Sequence, residues 1–144
     1  LGYEGWINKQ LKLKTSGHLT NVFANANRDP SDMYPGELTF NTWWKHSVSA
    51  PDQLRQRVAF ALSQILVISD QNGALEGNPT AIAHYYDLLS TNAFGNYRTL
   101  LEQVTLHPTM GQYLSMFRNR KPDPAQNIRW VTPEGGGGPN YSEM

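Results

Sequence analysis

Apolar positions recur at three- and four-residue steps through the middle of the chain, and three stretches between Pro51 and Phe117 predict consecutive helices. In the first, Leu54, Val58, Ala61, Leu62, Ile65 and Ile68 fall on one face. Pro51 suits the first helical position and Asp52 the first turn. Residues Ile65 to Ile68 are apolar on every side, which predicts a fully buried end. In the second, Asn78 is a natural N-cap, Pro79 opens the helix, and Ile82, Tyr85, Tyr86 and Leu89 form its apolar face. Gly95 fits a left-handed stop. In the third, Leu100, Leu101 and Val104 make one stripe, and Met110, Tyr113, Leu114 and Phe117 make another. Pro108 lies between the two stripes and predicts a break at His107.

Shorter elements flank this centre. Tyr3, Trp6, Ile7 and Leu11 have helical spacing, although Gly2 and Gly5 weaken that helix, so Trp6 is expected to dock into a core. From Lys14 to Gly36 the chain is polar and reads as a long loop, with room for a turn of helix over residues 19–24. A short helix is expected over 37–46, carrying Leu38, Phe40, Trp43 and Trp44. After Phe117 the periodicity fades into a Pro- and Gly-rich stretch with a four-glycine run. The expected fold is all-α: a bundle of five or six helices with a long N-terminal loop and an extended C-terminal tail. Residues 1–123 form the helical domain and 124–144 the tail.

Charge and composition narrow the function. Twelve basic residues balance twelve acidic ones, which gives no electrostatic footprint for nucleic acid. Cysteine is absent, so disulfides, cysteine nucleophiles and cysteine-bound zinc are excluded. No apolar run reaches the ~20 residues a membrane span needs. No motif calls for a cofactor.

Three stretches together resemble one family: LGYEGWINKQL, LRQRVAFALSQILVISD and YYDLLSTNAFGNYRTLLEQVTLHPTMGQYLSM. They resemble the N-terminal part of bacterial secreted proteins grouped as domain of unknown function 1800, from Leu1 to about Asp123. Family members continue with a segment like PDENYAREVMQLF. Here the chain instead runs through Ile128-Arg129 and WVTPEGGGG to Met144, which looks like an insertion or a divergence. The resemblance implies a mostly helical, exported protein, periplasmic or extracellular, with no established activity. It also implies that this chain is an internal piece of a larger domain.

The candidate chemistry is sparse. His84 and Asp87 stand one turn apart, and Glu102 and His107 stand on or near the next helix. Side by side, these four would suit a metal-assisted hydrolase. The competing reading gives His84 a hydrogen bond to a neighbouring helix and His107 a capping role. There is no Gly-x-Ser-x-Gly elbow, and no Lys-Ser or Lys-Thr follows the glycine run as a phosphate loop requires. Trp43, Trp44, Trp130 and Tyr141 are candidate contact residues, for sugar rings or for protein. The leading expectation is a structural or interaction module. Its partner would be the rest of its own larger domain, another protein chain or a second copy. An exported hydrolase and a carbohydrate-binding module are the alternatives.

Overall fold

The computed structural model describes residues 2–26 and 38–116. The described residues are helical and contain no strand. The helices are α1 (Tyr3–Lys12), α2 (His18–Ala26), α3 (Leu38–Ser49), α4 (Gln53–Ile65), α5 (Pro79–Thr91), α6 (Tyr97–Thr105) and α7 (Pro108–Tyr113). The all-α expectation holds. The seventh helix arises because the turn expected over 19–24 is a full helix and because Pro108 splits the third central stretch in two. The expected tail, with Trp130 and Tyr141, lies outside the described residues. None of the helices described is long and apolar enough to cross a membrane.

Helix α5 is the hub. It packs against α2, α3, α4, α6 and α7. One side of it joins the larger core, in which Tyr85 and Leu89 meet Ala59, Leu100, Val104 and Met110. Another side presents Ala83 to Val22 and Leu38, the smaller core beneath α2 and α3. Tyr85 is fully buried, and its hydroxyl donates to the Leu66 carbonyl at 2.7 Å. The phenol therefore fixes the turn that leaves α4 while its ring fills the core.

Several helix ends follow from single residues. The Asn78 side chain accepts from the Ala81 N–H, with Pro79 just inside the helix. Asn96 does the same for α6 through the N–H groups of Arg98 and Thr99. His107 ends the run after α6 and caps α7, its Nδ1 accepting from the Thr109 N–H at 3.2 Å. Gly95 is not left-handed. Helix α5 ends instead at Asn92, whose side chain donates to the Leu88 carbonyl. Among the described residues, the glycine with positive φ is Gly77, at +72°, in the turn before Asn78.

Three other expectations give way to polar contacts. Pro51 precedes α4 and Asp52 is its N-cap, so the helix starts two residues later than the proline suggested. Helix α4 ends at Ile65, which is 67% exposed, and Val67 is also exposed. Only Leu66 and Ile68 of that apolar run turn toward the core. Trp6 is not docked. It is 43% exposed, and Gln10 is the buried residue of α1. The Gln10 amide donates to the Pro51 carbonyl at 3.0 Å and accepts from the Leu54 N–H at 3.1 Å. It thereby satisfies a free donor in the first turn of α4 that the Asp52 side chain leaves unbonded.

Leu89 lies mid-core, whereas Leu62 is half-buried at its margin. Leu89→Ala is expected to cost ~2–5 kcal/mol, the range for emptying a packed leucine site. Leu62→Ala should cost about 1–2 kcal/mol, since less surface returns to water. Chemical denaturation of the two variants checks the order.

Candidate functional site

Helices α3 and α4 bury polar faces and carry aromatic residues outward. The buried residues of α3 are Leu38, Thr42 and His46, and those of α4 are Gln56 and Ala59. Phe40, Trp44 and Phe60 on the same helices are 58%, 49% and 43% exposed. Trp44 and Phe60 pack edge-on and tilted on Trp43, which is half-buried, and Phe40 meets Trp44 edge-on at 5.9 Å. Trp43 meets Trp44 at 4.9 Å and 77°, and Phe60 at 5.4 Å and 51°. The result is a partition with a hollow on each side. The larger, of about 350 Å³, is lined by Phe40, Trp43, Phe60, Ile82 and Tyr86, with Asp70 among its polar residues. The smaller, of about 290 Å³, lies against Trp44, Val48, Gln56 and Arg57.

Behind the cleft sits a buried polar cluster. Asp52 is fully buried. Its carboxylate accepts from the Ser16 N–H at 2.9 Å, the Ser16 hydroxyl at 2.6 Å and the Gln56 amide at 3.1 Å. Burial pushes its acidity down, but these donors outweigh burial and hold its pKa below the ordinary 3.8. The Gln56 amide nitrogen also points to the Ser16 carbonyl, so its oxygen must be the atom that meets His18 Nε2 at 2.9 Å. His18 therefore carries its proton on Nε2. The His18 ring stacks on Tyr86 at 5.5 Å and meets His46 edge-on at 4.5 Å. His46 Nδ1 is buried with no hydrogen-bond partner among the described residues.

The four residues considered for a hydrolytic site divide among different tasks. Asp87 accepts from the N–H groups of His18 at 2.7 Å and Leu19 at 3.0 Å, placing a carboxylate on the N-terminus of α2. Glu102 is exposed on α6. His84 and His107 do meet, Nδ1 to Nε2 at 2.9 Å. The Thr109 N–H can only donate, so the proton of neutral His107 sits on Nε2, and that N–H donates a hydrogen bond to His84 Nδ1. Neutral His84 then has its own proton on Nε2. It offers a donor there, where a general base or metal ligand needs a lone pair. Among the described residues no three His, Asp or Glu side chains are grouped to hold a metal ion.

Sequence patterning missed Phe40 and Phe60 as surface residues and missed Asp52, Gln56, His18 and His46 as a cluster. The available signal was that Phe60 lies off the apolar stripe of its helix. Arg55 has a structural task of its own. Its guanidinium donates to the carbonyls of Ser90 at 2.9 Å and Leu13 at 3.3 Å and lies 4.6 Å from the Phe94 ring centroid. It neutralises the C-terminal ends of α5 and α1 together.

Comparison with known proteins identifies a family and little else. The family described as "Protein of unknown function (DUF1800)" matches residues 1–140. The probable electron transfer flavoprotein-ubiquinone oxidoreductase of Acinetobacter baylyi is 82% identical over 22 residues. The mitochondrial electron transfer flavoprotein-ubiquinone oxidoreductase of Caenorhabditis elegans is 77% identical over 22 residues. Each alignment covers 15% of this chain and 4% of the relative's length. No solved structure matches.

Two expected outcomes follow from this geometry. Asp52→Ala leaves the Ser16 and Gln56 donors without their acceptor in a buried site and should cost ~2–4 kcal/mol. The depressed pKa of Asp52 contributes stability above about pH 3.8, and this is lost as pH falls through the folded value. Urea titrations of both chains down to low pH read it as a steeper acid limb in the wild type. The pKa of His107 is lowered as well: burial first and His84 second hold it below 6.5. The unfolded chain then binds more protons just below that value, so stability is complete above about pH 6.5 and falls beneath it. His107→Asn keeps a good N-cap and cannot titrate. Its stability loss between about pH 7 and pH 5 should be smaller than that of the wild type.

Proposed function

The chain belongs to the DUF1800 family of proteins of unknown function, and from that premise we propose that it is a protein-interaction module of an exported bacterial protein. Its binding surface is the aromatic cleft between α3, α4 and α5. The cleft receives an apolar side chain from a protein segment, supplied by the rest of its own domain or by another chain.

The single observation that carries this reading is the outward placement of Phe40 and Phe60, which with Trp43 line a hollow of about 350 Å³, while exposed Trp44 lines the second hollow on the other side of Trp43. Grouped exposed aromatic rings are costly in water and are characteristic of contact surfaces. The 77° angle between Trp43 and Trp44 supports a pocket for a side chain over a flat platform for sugar rings. The engagement of Asp87 at the start of α2 favours binding over hydrolysis at that position.

The test is a titration of the full chain, followed by heteronuclear NMR, with amidated tripeptides bearing a central Phe, Leu or Trp. Cello- and chito-oligosaccharides serve as the competing class. Peptides are expected to shift Phe40, Trp43, Phe60 and Ile68. Response to the saccharides alone would replace this reading with carbohydrate binding. Phe60→Asp should weaken peptide binding by about tenfold or more, as loss of a contact anchor does. Its effect on melting temperature should be small, because the ring is already 43% exposed.

A further inference from the structure

Each wall of the cleft has a neighbour in the buried histidine cluster. On α3, Trp43 faces the cleft and His46 lies one turn further on. On α4, Phe60 faces the cleft and Gln56, one turn earlier, bonds His18. On α5, Tyr86 lines the cleft and stacks on the His18 ring. We infer that the His18–His46 pair is a proton-operated control on the cleft: uncharged, it holds the three walls in register, and charged, it releases them so that binding falls. This rests on the cleft being the binding surface.

The two imidazoles are 3% and 8% exposed and meet at 4.5 Å. A proton on His46 makes both ring nitrogens donors, and Nδ1 has no acceptor among the described residues. A buried donor without a partner and a charge beside a second imidazole are both unfavourable. The charged groups around His46 come from several elements. Lys45 on α3 opposes the proton, while Asp52 before α4 and Asp87 on α5 favour it. Both carboxylates are already engaged, Asp52 by Ser16 and Gln56 and Asp87 by the start of α2. Burial first and His18 second prevail over their pull and hold His46 below 6.5. Proton uptake is thus coupled to opening of the cluster: stability contributed by neutral His46 is complete above about pH 6.5 and falls below it. Opening separates His18 from Tyr86 and α3 from α4, which are the cleft walls.

The experiment uses the full chain labelled with 5-fluorotryptophan. It has four tryptophans, so each fluorine resonance can be assigned by a Trp→Phe substitution. The Trp43 resonance should move in one step as pH falls below the ordinary histidine range, with helical circular dichroism unchanged. Affinity for the tightest-binding tripeptide amide should drop at least about fivefold across the same step. His46→Phe keeps a ring edge against His18 without titrating, and should abolish both changes. His46→Gln serves the same purpose if the phenylalanine variant does not fold. His84→Asn alters the other histidine pair and should leave the Trp43 step in place. A Trp43 step that persists in the His46 variants, or that coincides with loss of helical signal, overturns the inference. The fluorine readout needs no ligand. If no peptide binds, the interaction reading fails while the step itself still decides the coupling of the pair to the cleft wall.

Discussion

Two aspartates hold the N-terminal part of this fold to the remainder. Asp52 takes the backbone and hydroxyl donors of Ser16, and Asp87 takes the first two N–H groups of α2. Between them they fix residues 16–19, a stretch whose only large apolar side chain is Leu19. Hydrophobic burial alone has little to grip there. Charge-assisted hydrogen bonds are stronger and more directional than neutral ones, so they set the position of the segment as well as its free energy. Desolvating a carboxylate is costly, and the arrangement is favourable only because its donors are supplied together. Helices α2 and α3 follow from that anchor, and with them the rear of the cleft.

This anchoring explains the inverted look of α3 and α4. Ordinary amphipathic helices turn leucines inward and charges outward. Here α4 turns Gln56 and Ala59 inward, and α3 turns Thr42 and His46 inward, because a polar cluster occupies the space between them. The large rings are left outside. The aromatic cleft and the buried polar cluster are therefore two consequences of one arrangement. Three walls of the cleft are helices, with Ile68 to Asp70 of the loop after α4 completing it, and the spacing of α3 and α4 is set by the packing of α5 against both.

What the sequence made legible was mainly helix punctuation. Asn78-Pro79 and His107-Pro108 announce caps and breaks through chemistry confined to a few neighbouring residues, and both behave as that chemistry requires. The apolar face of α5 was readable for the same reason: Ile82, Tyr85 and Leu89 are buried at helical spacing. The buried face of α4 was not. Periodicity arguments count apolar residues, and an inward Gln56 resembles a surface residue until its partners at Ser16 and His18 are known. Those partners lie 40 and 38 positions away. The same blindness assigned Trp6 to a core that Gln10 occupies, and it buried Ile65, which faces water. Of the candidate site, the pairing of His84 with His107 follows the competing hydrogen-bond reading, while Asp87 could not be placed without knowing where α2 begins.

The bonds of the polar cluster join residues far apart along the chain: Ser16 to Asp52 across 36 positions, His18 to Asp87 across 69 and Thr15 to Ser90 across 75. Helical proteins usually fold fast because their contacts are local. Here α5, α6 and α7 can assemble early around Tyr85 and Leu89, since they are adjacent in sequence and share one core. Closure of the N-terminal segment over α4 and α5 must wait until those helices are in place. Interactions made after the rate-limiting barrier act on the escape from the native state and leave the approach to it unchanged. Ser16, Asp52 and Asp87 then govern how long the native state survives, while the apolar hub governs how quickly it is reached.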